Sequence, residues 1–136
     1  MKKLLMIFIF ASSSLFSNDV VHQRQESMQD FNKLMRSATQ IIKDGETQEL
    51  EDIYTKIESI MIEYPNLFPN DSFDGKTKAS QNIIDDRDVF NTIAQDTSEV
   101  AALAKIAASN NDLEAVQQHH QSLFGSCKSC HSRFKN

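Results

Sequence analysis

The 136-residue chain carries 14 basic against 19 acidic residues, a formal net charge of −5, with 40% hydrophobic residues, three glycines and two prolines. That length suits one domain, and the acidic balance argues against nucleic acid and anionic membrane surfaces as partners. It favours encounter with a partner carrying a basic patch.

At the N-terminus, Lys2 and Lys3 precede the apolar run Leu4 to Ala11 and the small polar residues Ser12 to Ser14, the pattern of an export signal. The run is shorter than the ~20 apolar residues of a membrane span. Cleavage is expected after Ser17, with Ser13 or Ser14 as alternatives, giving residues 1–17 as signal peptide and 18–136 as the domain. No cysteine lies near the junction, so no lipid-anchored N-terminal cysteine is expected. Removing residues 1–17 takes two lysines and no acid, leaving 12 basic against 19 acidic residues and a net charge of −7.

Helix is the expected state between the few breakers, because no segment shows the alternating β-branched pattern of a strand. From about Val20 to Lys43, Met28, Phe31, Leu34, Met35, Ala38, Ile41 and Ile42 recur at three-and-four spacing and make one helical stripe. Gly45 suits a C-terminal cap. A second stripe runs through Leu50, Ile53, Tyr54, Ile57, Ile60, Met61 and Tyr64 and stops at Pro65. Residues 65–81 hold both prolines, Gly75 and a polar run, and read as a long connection with little regular structure.

A third helix is expected to start near Asp85 to Asp88, where acids suit the positive end of the helix dipole, and to run through Val89, Phe90, Ile93, Val100, Ala101, Ala104 and Ala107. Asn110 and Asn111 break it, and Asn111 with Glu114 resembles a capping box for a fourth helix. That helix carries Leu113, Val116, His120, Leu123, Phe124, Cys127, Cys130, His131 and Phe134 on one stripe. Four amphipathic helices of this length predict an all-α fold, a four-helix bundle.

A cofactor is read from Cys127-Lys128-Ser129-Cys130-His131, which contains the only two cysteines of the chain. C-x-x-C-H is the attachment sequence for c-type haem. Each thiol adds to one vinyl group of the porphyrin, and the adjacent imidazole binds the iron. A helix puts all three side chains, at i, i+3 and i+4, on one side. A zinc site lacks a second ligand pair, since His22, His119 and His120 are not suitably spaced. A thioredoxin-like dithiol would follow a strand and open a helix. No catalytic nucleophile, phosphate-binding loop or acid/base constellation stands out, so no enzymatic activity is expected.

With this motif at the C-terminal end of a helical chain, followed by Phe134 and Lys135, and with Arg24, Gln25 and Met28 in the first helix, the sequence resembles the class II c-type cytochromes, the cytochrome c′ and cytochrome c556 family. The resemblance implies an antiparallel four-helix bundle with one covalently attached haem c in its core, held on Cys127 and Cys130, with His131 as proximal axial ligand. It implies a periplasmic protein that exchanges single electrons with redox partner proteins. The alternative is a five-coordinate haem that binds nitric oxide or carbon monoxide at a vacant distal site. Met28 is placed over the distal face, where its thioether binds the iron or covers it, unless it is ordinary core. Arg24 is placed to reach a haem propionate, the other reading being an exposed helix arginine. Lys135 falls where a cation alters the redox potential, or frays with the terminus. Family members often pair through their first two helices, which makes a homodimer an expectation too.

His120 lies eleven residues before His131, about three turns or roughly 16 Å along the same helix. It is therefore expected to serve at the surface or in helix packing, as is His119. Gly125 costs its helix about 1 kcal/mol relative to alanine, which close approach of another helix or of the porphyrin edge would explain, as would a tolerated flaw.

Overall fold

The structure, a computed structural model, describes residues 13–136. The expected export signal falls largely on residues 1–12, outside the described residues. Five helices follow in order: α1 (Ser13–Lys43), α2 (Leu50–Glu63), α3 (Asn82–Asp85), α4 (Arg87–Ser109) and α5 (Leu113–Phe134). Four of them are long and form the bundle, and among the described residues there is no strand.

Most of the apolar stripes become the core, but Val89 and Phe124, expected on the third and fourth stripes, are 37% and 52% exposed. Phe31, Met35 and Ala38 of α1 meet Leu50, Tyr54, Ile57 and Met61 of α2, the small side chains Ala94, Ala101, Ala104 and Ala107 of α4, and Val116 and Leu123 of α5. The alanines let α4 lie close against both α2 and α5, its two principal neighbours. Each large side chain buried in this way contributes about 1.5–3 kcal/mol, far more than helix propensity does.

The ends of the helices show how the chain turns. Gly45 takes φ 76°, donates to Ile42 O at 3.1 Å, and lets Glu46 N reach Ile41 O at 3.1 Å. This is the double hydrogen bond of a Schellman cap. The expected role of Asn111 is corrected here. It closes α4 rather than opening α5, with φ 57° and with Asn111 N on Ala108 O and Asp112 N on Ala107 O at 3.0 and 2.9 Å. The neighbouring Asp112 is the N-cap of α5, accepting from Ala115 N at 3.0 Å. Of the two adjacent capping residues, asparagine takes the left-handed position because it tolerates positive φ.

The third long helix begins at Arg87, as expected, but is preceded by the separate turn α3. Asp86 leaves the helical path between them, with φ −114° and ψ 39°, while its carboxylate accepts from Arg133 Nη2 at 2.9 Å. Ile83, 1% exposed, anchors α3 to the aromatic cluster beneath it.

His120 is a helix-packing residue. Buried between three helices, its Nε2 lies 2.9 Å from Thr39 Oγ1 and its Nδ1 3.0 Å from Tyr54 OH. Thr39 spends its proton on Met35 O at 2.8 Å, so Nε2 donates, Nδ1 accepts from Tyr54, and the ring is neutral. Burial lowers its pKa from the ordinary value of 6.5. The unfolded chain therefore binds a proton that the folded one refuses, and stability is full above about pH 6.5 and declines as pH falls below it. Urea midpoints taken from pH 7.5 to 5 should fall, and the fall should flatten in His120→Phe, which has no proton to take up.

Candidate cofactor site

On α5, Cys127, Cys130 and His131 line one cavity of about 630 Å³. Both cysteines are free and half-buried, and Cys127 Sγ sits 3.4 Å from Leu123 O, to which it donates. Burial pushes the Cys127 thiol up and, with the nearby Cys127, pushes Cys130 up to about 11, so both are protonated at neutral pH. His131 is lowered by burial and then by the positive charge of Lys135.

The end of α5 is pinned to the α2–α3 connection. Ser80 N donates to Phe134 O at 2.9 Å, Asn136 N to Lys78 O at 2.8 Å, and Asn82 Nδ2 to Arg133 O at 3.2 Å. Ala79 and Lys135 form an antiparallel bridge. Phe134, 3% exposed, stands edge-on to Phe90 at 5.3 Å. Lys135 is thus fixed at the cavity instead of fraying.

Arg24, Gln25 and Met28 of α1 line the same cavity. Arg24 is neither exposed nor free to swing, being 3% exposed. Its Nη2 donates to Ser72 O at 2.6 Å and Thr77 Oγ1 at 2.7 Å, and its Nη1 to Ser72 Oγ at 3.1 Å and Leu67 O at 3.3 Å. Its guanidinium lies 4.7 Å from the Phe68 ring centroid, a cation–π distance. Gln25 Nε2 donates to Lys76 O at 3.1 Å. The Arg-Gln pair therefore moulds the connection over the cavity. Burial lowers the Arg24 pKa, yet a guanidinium stays charged. Met28 is half-buried and packs against the core cluster.

Other lining residues escaped sequence reasoning. Met61, a second thioether, comes from α2, and Tyr64, Phe68 and Phe90 supply an aromatic floor, Phe68 and Phe90 being edge-on at 4.9 Å. Met61 and Tyr64 stood on the apolar stripe of α2, and nothing in the sequence separated cavity wall from core. Lys76 and Lys78 lie in the connection. Every Asp, Glu, Lys or Arg that lines the cavity is a cation, namely Arg24, Lys76, Lys78 and Lys135. His22 stands apart in an exposed pair with Glu26 at 3.3 Å. A side chain added at Gly125 would meet nothing within 4 Å, so no helix packs closely there.

These residues fit a haem. The cavity falls within the range of roughly 300–1,000 Å³ that takes a cofactor-sized ligand. It pairs two protonated, half-buried thiols with an imidazole, an apolar floor and a cationic mouth, the last matching carboxylates.

Comparison with known proteins agrees. The sequence profile of the family described as Cytochrome C′ matches residues 19–135. The fold is similar to that of cytochrome c prime from Shewanella frigidimarina, with a TM-score of 0.79 at 20% identity over 88% of this chain and 96% of that one. Ferric cytochrome c prime from Alcaligenes xylosoxidans gives 0.80 at 18% identity over 88% and 95%. A cytochrome c′ described as having an unusual ligand-controlled dimer dissociation gives 0.81 at 18% identity over 92% and 98%. No curated protein sequence matches the chain.

Proposed function

The chain belongs to the cytochrome c′ family of haem proteins, and from that premise we propose that it is a periplasmic monohaem cytochrome that exchanges single electrons with redox partner proteins. One observation carries this reading: the dithiol and imidazole of α5 share a cavity with the thioether of Met28 from α1. Bound haem supplies a one-electron couple at its iron.

The side chains do the rest. Cys127 and Cys130 would hold the haem through two thioether bonds, and His131 would offer its imidazole to the iron. Phe68, Phe90 and Phe134 keep that space dry, which favours electron exchange without side reactions of water. Met28 would offer a thioether sulfur, and iron held by a His/Met pair would have a raised potential. Export is supported by the N-terminal pattern, and among the described residues no helix is long and apolar enough to cross a membrane. Self-association into a homodimer is supported by the dimeric relative named above.

A second reading, capture of nitric oxide or carbon monoxide, is favoured by the packing of Met28 against the core cluster, since a thioether held there covers the iron without binding it. Absorption spectra of the oxidised and reduced holoprotein, before and after carbon monoxide, separate the two. Low-spin bands that carbon monoxide leaves unchanged are expected. A high-spin spectrum that shifts with carbon monoxide transfers the function to gas binding.

A further inference from the structure

The charge of this chain is unevenly placed. Residues 75–84 and 115–136 hold Lys76, Lys78, Lys128, Arg133 and Lys135 and no acid, whereas all 19 acidic residues lie elsewhere. The fold joins these two segments by the Ala79–Lys135 bridge and by the bonds from Ser80 to Phe134 and from Asn136 to Lys78. They thereby place the exposed Lys76, Lys78 and Lys135 together around the cavity mouth. Arg133, next to them on α5, pairs with Asp86 at 2.9 Å. The two carboxylates of a haem would offset two of the three lysine charges, and the mouth would remain positive.

From this placement the geometry points to a docking surface for an acidic protein partner, centred on Lys76, Lys78 and Lys135. The inference rests on the haem reading and names the partner chemistry for that site. It reverses what net charge alone implies, because a partner senses the face it approaches: at about 0.01 M salt the Debye length is ~30 Å, and at about 0.1 M it is ~10 Å, shorter than the molecule. A basic patch beside the exposed edge of the redox centre steers an acidic surface to the point where electron transfer is shortest.

The test uses the holoprotein, after its spectrum has shown covalent haem, so that loss of haem and loss of docking are read separately. The probe is fluorescently labelled poly-L-glutamate, followed by anisotropy at low and high salt. Wild type is expected to bind at low salt and release at high salt. Lys76→Glu with Lys78→Glu should weaken binding at least about tenfold. Lys33→Glu with Lys56→Glu makes the same change in net charge on α1 and α2, where each lysine has only an exposed ion pair, and should leave binding within about twofold. Unlabelled poly-L-glutamate should also slow the oxidation of ferrous to ferric protein by hexacyanoferrate(III), in which one electron passes to the complex. No binding by wild type, equal weakening in both double variants, or an oxidation rate indifferent to poly-L-glutamate would each overturn the proposal.

Discussion

Arg24→Ala is expected to destabilise the folded protein by about 3 kcal/mol, because it removes hydrogen bonds from a charged donor and leaves buried acceptors unpaired. The groups abandoned are Ser72 O and Oγ, Thr77 Oγ1 and Leu67 O. Ser72 itself is fully buried, so water does not readily replace the guanidinium. The ring contact with Phe68 is lost as well. Arg24→Lys should recover only part of the loss, since an ammonium cannot span four acceptors in a fixed fork. Urea unfolding of the holoproteins measures both. A loss under about 1 kcal/mol for the alanine variant would show that the connection holds its shape without the clamp.

Met28→Leu has the largest expected functional effect. The exchange conserves volume and should cost less than about 1.5 kcal/mol in stability, so the fold survives while the thioether disappears. If Met28 supplies the distal sulfur, the variant becomes high-spin and binds carbon monoxide. Its midpoint potential should drop by roughly 0.1–0.2 V, a fraction of the ~0.8 V range that axial ligands set. Met61→Leu is the control, because that side chain lines the same cavity from α2 and should leave spectrum and potential in place. A Met61 effect larger than the Met28 effect would hand the distal role to the second thioether.

The helices were legible because their apolar residues repeat at the helical period over 14 residues or more, and the same repeat put Cys127, Cys130 and His131 on the one face of α5 that lines the cavity. The connection was not. Its order depends on Arg24, 43 to 53 residues away in sequence from its acceptors, and no local pattern announces so distant a partner. A buried arginine held by carbonyl and hydroxyl oxygens also defies the usual expectation that helix arginines face water. At the α4–α5 turn the sequence pattern pointed to Asn111 with Glu114, but Asn111 takes a positive φ and the cap passes to Asp112. Charge was misleading in another way. Net charge is a sum, whereas the basic face appears only when the chain brings residues 76–78 beside 133–135.

The four-residue α3 shows the limit of periodic reading. Asn82 to Asp85 lacks the length to display a stripe, and its place is set by Ile83 entering the cluster with Phe68, Phe90 and Phe134. That cluster is assembled from the connection, α4 and the end of α5. It is the part of the core that the cavity rests on.

Mass spectrometry of the denatured protein, produced with a haem-attachment system, tests the central claim most directly. The account predicts a chain carrying one haem that denaturation does not release, and a Cys127→Ser, Cys130→Ser chain that carries none. A wild-type chain that appears only at the mass of the bare polypeptide would contradict it.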